Sequence, residues 1–267
     1  MLEMPFMQRA LAAGLLVGLL ASYYGVFVVQ RGLGFLGNGL AHAAFGGVAL
    51  GLLLGMEPLW IAAPFTVAVA LIITWVRQRT SLGADTVIGV FFAVSMAAGI
   101  IFLALTERYT ADAFSYLFGS ILAVTDLDLW VTGGVTVLAL LVQPLWGRWA
   151  YATFDRDLAL ADGIPVRLDE YLLSALLAVT VVVAIKVVGI VLISAFLVIP
   201  AASARLVARR FSVMTLLSVL FGTASVLAGL WISYGLDLPS GATIVLAQTA
   251  LFLLCLVLAR TVNPGQP

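Results

Sequence analysis

Charge is what this 267-residue sequence has least of. Asp, Glu, Lys and Arg make up only 10% of it, and thirteen bases cancel thirteen acids. A soluble domain carries about a quarter charged residues, so a soluble enzyme is excluded. With no net field to gather polyanions, a nucleic-acid binder is excluded as well. A single cysteine, Cys255, leaves no disulfide framework and no cysteine-based zinc cluster. Histidine also occurs once, as His42. The phosphate-loop pattern G-x-x-x-x-G-K-[ST], the zinc-protease pattern H-E-x-x-H and the nucleophile elbow G-x-S-x-G are all missing. Without a phosphate loop the chain does not bind ATP in that manner, so active transport would draw on an ion gradient or on a partner ATPase.

Apolar residues are what is there instead: 63% of the chain, at a mean hydropathy of +1.18. That is the composition of an integral membrane protein, in which a helix crosses with about 20 apolar residues. Such runs occur at 10–29, 40–56, 58–76, 86–105, 129–147, 171–188, 189–204, 211–234 and 241–259. The first lacks a cleavage site followed by soluble sequence and is expected to remain a mature span rather than a signal peptide. A tenth piece, 113–124, is too short to cross and reads as re-entrant or interfacial. The expected fold is all-α. It is a polytopic helical membrane protein of about nine transmembrane helices plus that short helix, in one domain spanning 1–267.

Basic residues collect on the cytoplasmic side of membrane proteins. An outside N-terminus and inside C-terminus put Arg31, Arg77, Arg79, Arg148, Arg156, Arg167, Arg205, Arg209, Arg210 and Arg260 inside, ten of the thirteen bases. The outer loops then carry Glu3, Glu57, Glu107, Asp112, Asp126, Asp128 and Asp237, a surface attractive to cations. Small residues four apart predict close helix packing: Gly14 and Gly18; Gly47, Gly51 and Gly55; Ser218, Gly222, Ser225 and Gly229.

Polar groups within apolar runs are costly and few, so each is informative. Asn38 and His42 stand four apart at the start of the second run and share a helix face. An imidazole nitrogen and an amide oxygen there can meet one cation, or the histidine can simply bond across a helix interface. Lys186 lies near the outer end of its run, where a snorkelling lysine is expected. Gly189 and Pro200 mark where the long apolar stretch around them bends or breaks. The longest polar segment, about 148–169, has room for one short helix with Asp155 as N-cap, Leu158 to Ala161 as body and Gly163 as stop. It reads either as a partner-docking helix or as a solvated loop.

The run Phe35 to Ala43, containing Gly37-Asn38 and His42, resembles the G-D-x-x-x-H segment of metal-ion ABC transporter permeases. Further agreement follows in order at Asp85–Gly89, Tyr116–Thr125, Phe154–Gly163, Lys186–Gly189, Ile199–Arg205 and Leu238–Gly241. Within that family the Thr125 and Lys186 regions look most like the bacterial zinc-uptake permease.

The resemblance implies a homodimeric, multi-pass permease in the plasma (inner) membrane of a prokaryote. Cytoplasmic ATP-binding subunits would hold the ATP, and an extracellular or periplasmic metal-binding protein would deliver a divalent metal, expected to be zinc. No cofactor would be bound by this chain, and no nucleic acid would be a partner. His42 and Asn38 would line the metal path, with Asp85, Ser120 and Asp237 as further candidates. Asp155, Asp157, Ala159 and Gly163 would form the element that couples to the ATPase. Two positions depart from the family: Asn38 and Ser120 stand where it usually has aspartate, which removes negative charge from the path. Manganese or iron is the alternative cargo. Outside the family, the alternatives are a gradient-driven carrier and an intramembrane hydrolase using Ser240 and His42.

Overall fold

In lipid every backbone N–H and C=O must find a partner within the protein, and a helix supplies one for each from its own chain. The computed structural model describes residues 5–106, 116, 119 and 124–262, and these are helical nearly throughout, with no strand among them. The helices are α1 (Pro5–Gln30), α2 (Leu36–Leu54), α3 (Pro58–Arg79), α4 (Ala84–Ala104), α5 (Asp126–Leu141), α6 (Trp146–Phe154), α7 (Arg156–Ala161), α8 (Val166–Val188), α9 (Ile193–Val207), α10 (Phe211–Leu236) and α11 (Ser240–Val262).

Seven of them, α1 to α4, α8, α10 and α11, are long and apolar enough to cross a bilayer. The fifth expected span is broken. α5 and the segment Gln143–Phe154 meet at a 43° bend, and counting them as one gives up to eight. The seventh is helical over only 15 residues, α9, about 22 Å against a hydrocarbon core of about 30 Å. Of 113–124 only Tyr116, Gly119 and Val124 fall among the described residues, so the re-entrant segment as a whole lies outside them.

Where the long apolar stretch breaks is set by glycine rather than proline. Gly189 ends α8 at φ +87, a conformation that side-chain-bearing residues avoid. The Ile190 N–H then turns to the Tyr116 carbonyl at 3.1 Å. Pro200, expected to mark a bend or a break, does not end the helix: it sits buried inside α9, which runs on to Val207. It removes one donor without ending the helix.

Small residues do set the packing. Gly25 of α1 lies directly on the Leu197 carbonyl of α9, and a Cβ at Gly47 of α2 would come within 2.6 Å of the Ala62 Cα on α3. Gly222 of α10 meets α1 at Gly18 and Ser22, and the Ser218 hydroxyl donates to the Ser22 carbonyl at 2.8 Å. α1 and α10 therefore run antiparallel. Gly39 against Ile88 and Gly46 against Ser95 make α2 and α4 parallel. α1 and α2 are mostly buried, whereas only 22% of the apolar stretch of α4 or of α11 is buried.

These directions give the bundle two ends. One, the connector end, gathers the C-termini of α1 and α3, the N-termini of α2, α4, α8 and α10, and the short helices α6 and α7. An aromatic cluster fastens it: Phe27 packs edge-on to Trp149 and Phe211 at 5.8 and 5.4 Å, while Trp146 stacks on Phe211.

Candidate functional site

His42 lies six residues into α2, about 9 Å from its start. Its Nδ1 is 3.0 Å from the Asn38 backbone carbonyl. A carbonyl can only accept, so Nδ1 is the donor, and in the neutral ring Nε2 is the nitrogen that can meet a cation. A backbone oxygen holding one ring nitrogen is how metal-binding imidazoles are commonly oriented. The ring is half-buried and flanked by Phe92 of α4, with centroids 4.4 Å apart. Asn38 is likewise half-buried, one turn before His42 on the same face.

The other expected path residues do not join this pair. Asp85 is exposed in the first turn of α4, where the helix dipole favours its charge. It shares the connector end with the start of α2. Asp237 caps α10 at φ +53 and lies at the opposite end. Ser120 falls outside the described residues. Among the described residues no three His, Cys, Asp or Glu side chains gather where they could hold a metal. The pair offers one nitrogen and neutral oxygens, a passing contact for a cation rather than a resident metal centre.

At the connector end the short helix forms as its sequence predicts. The Asp155 carboxylate accepts from the Leu158 N–H at 2.9 Å, capping α7. Gly163, at φ +78, closes the helix, with the Ile164 N–H returning to the Ala159 carbonyl at 3.0 Å. Ala159 points inward, fully buried with Ala152 and Val166. Asp157 and the side chains Phe154, Leu158 and Leu160 face outward. The connector is anchored by Arg148, which donates to buried Asp169 at 2.8 Å.

Residues 3–259 match the ABC 3 transport family. The chain belongs to that family. It is 38% identical over 256 residues to the manganese transport system membrane protein MntC of Halalkalibacterium halodurans, covering 95% of this chain and 87% of that one. It is also 38% identical over 258 residues to the manganese import system permease protein ScaB of Streptococcus gordonii, covering 96% and 92%. Among solved structures, PsaBC from Streptococcus pneumoniae in complex with Fab matches with a TM-score of 0.84 and 36% identity, covering 94% of this chain and 91% of that one. The expected membership of the metal-ion ABC permeases is thereby borne out. Members of the family are membrane subunits, not enzymes, and the ATPase is a separate chain. The zinc-type assignment within the family finds no support among these relatives.

Two constellations escape a reading of the sequence. Lys186, expected to snorkel, instead donates to Asp128 at 2.9 Å. The same carboxylate's other oxygen accepts from the Thr125 N–H at 2.9 Å and closes a capping box on α5. At the connector end Arg31, Arg77, Arg156 and Glu170 face one cavity. Lys186 and Asp128 stand 58 positions apart, and the four cavity residues come from four different parts of the chain. The one available signal is that charges so scarce in this chain recur near helix ends.

Proposed function

We propose that this chain is the transmembrane permease of a binding-protein-dependent importer for divalent metal ions in a prokaryotic plasma membrane, with manganese as cargo rather than the zinc expected from sequence. The observation that carries it is His42, oriented through Nδ1 by the Asn38 carbonyl on an interior helix of a chain 38% identical to manganese permeases. Zinc favours closed tetrahedral nitrogen and sulfur sites, whereas manganese accepts carbonyl, carboxylate and water oxygens. One imidazole beside Asn38 and backbone oxygens suits the second description.

Seven long helices, the bent pair and the short α9 are read here as nine crossings. That count agrees with a first helix starting at the end opposite the connector and a last helix ending at it. On this reading the connector end is cytoplasmic, and α7 meets the ATPase through Phe154, Leu158 and Leu160, with Asp155 and Gly163 holding its shape and Asp157 at its rim. Ala159 would act from beneath, by keeping α7 close to the bundle. Two permease chains, two ATP-binding subunits and an external metal-binding protein complete the transporter.

The test is cellular metal content by mass spectrometry, in a host without its own zinc and manganese importers that expresses this chain with its ATPase and binding protein. Manganese should rise, and His42→Ala should abolish the rise. A rise in zinc alone would overturn the cargo, and no rise in any metal would overturn the importer reading.

A further inference from the structure

At the connector end three guanidinium groups face one cavity without enough anions to match them. The cavity, about 230 Å3, opens between α1, α3, the connector and α8. Its polar wall is Arg31, Arg77, Arg156 and Glu170, and its apolar wall includes Phe27, Val28, Leu36 and Leu177. Three positive charges against one negative leave an excess of two.

The hydrogen bonds show which charges are unmatched. Each Glu170 oxygen already accepts one hydrogen bond, one from Arg156 Nε at 3.1 Å and the other from Gln78 Nε2 at 2.6 Å, and neither comes from Arg31 or Arg77. The neighbouring Asp169 does not line the cavity, and one of its oxygens accepts from Arg148. Arg31 donates only to neutral groups, the Thr153 hydroxyl at 2.9 Å and the Trp149 carbonyl at 3.3 Å. Arg77 makes no hydrogen bond to any described residue. Withdrawing guanidinium groups from water is costly unless an anion meets them. Burial in this wall pushes Arg31 down from its usual value; Glu170 opposes that shift and Arg77 adds to it.

Guanidinium forks match phosphate oxygens two at a time. A basic pocket between membrane helices, at headgroup level and with an apolar wall, suits a phosphate that carries acyl chains. We propose that this cavity binds the headgroup phosphate of an anionic phospholipid, with Arg31 and Arg77 as its ligands. Since Thr153 belongs to α6 and Arg156 to α7, the bound lipid would also brace the connector against the membrane helices. The inference rests on the membrane-embedded bundle and is independent of the cargo.

Native mass spectrometry of the delipidated permease–ATPase complex tests it, with phosphatidylglycerol, phosphatidylcholine and inorganic phosphate titrated separately. The expected result is one phosphatidylglycerol per permease chain and no comparable phosphatidylcholine adduct. Binding should weaken roughly thirtyfold in the double variant Arg31→Gln/Arg77→Gln, at about fivefold per guanidinium. Arg77→Gln alone, which breaks no hydrogen bond, should weaken it about fivefold and guards against a folding defect in the double variant. Neutralising the exposed Arg209 and Arg210 at the same end should leave it unchanged. Inorganic phosphate binding as tightly as phosphatidylglycerol would overturn the lipid assignment in favour of a soluble anion. Equal binding of the two lipids, or no response to Arg77→Gln, would overturn the site. Adducts seen only after the ATPase is removed would assign the cavity to an acidic side chain of that partner and likewise overturn the proposal.

Discussion

The two ends of the bundle treat charge in opposite ways. At the end opposite the connector, Lys186 and Asp128 form a one-to-one pair beside a cavity of about 250 Å3, and Asp128 also caps α5. Lys186 and Asp128 answer each other within the chain, while the exposed Glu57 on the same cavity wall forms no ion pair among the described residues. At the connector end Arg148 pairs with Asp169, with Arg148 Nε and Asp169 Oδ2 buried and unpartnered among the described residues, and Arg31 and Arg77 exceed the single carboxylate they face. The ion pair beside the first cavity is complete within the chain. The second end is built for something the chain does not contain, and it is also the end that carries α7.

Breaking each pair should expose this difference, beginning with Asp169. Asp169→Ala leaves Arg148 unpaired. Full burial of such an orphan costs about 3–5 kcal/mol, and because Arg148 is partly solvated we expect about 2 kcal/mol, read as a lower thermal midpoint in detergent. Lys186→Met should follow at about 1–2 kcal/mol, because Asp128 is stranded at 14% exposure. Adding Asp128→Asn should restore most of that loss; a double variant no better than the single would show that the pair is not what Lys186 serves. Asp155→Ala removes the α7 cap and should cost about 1 kcal/mol, seen as faster hydrogen exchange confined to α7. Arg156→Gln touches only an exposed pair and should shift stability by less than about 0.5 kcal/mol. A larger loss there would mean that Glu170 depends on Arg156 and that the connector end is balanced after all.

What could be read from the chain alone follows the range of the interactions involved. The helical membrane class and most spans are written in runs of apolar residues, and the α7 caps at Asp155 and Gly163 depend on neighbours three or four positions away. Family membership was legible because its motifs recur in order along almost the whole chain. For Pro200 the chain alone left a bend and a break both open, because a proline's cost within a helix depends on what surrounds it; the helix runs through it. Lys186 was misjudged because its partner stands 58 positions earlier. Ala159 has the composition of a docking surface, yet the fold turns it inward. Cargo was least legible of all, since a single histidine does not distinguish manganese from zinc without the oxygen atoms around it.

The account centres on metal passing His42 under the drive of a separate ATPase. The direct measurement is manganese uptake and ATP hydrolysis followed together in proteoliposomes holding the permease, its ATPase and its metal-binding protein. Wild-type vesicles should accumulate manganese only with ATP, and His42→Ala should lose most of the uptake while ATP hydrolysis persists. Uptake by His42→Ala equal to the wild type, or accumulation without ATP, would contradict it.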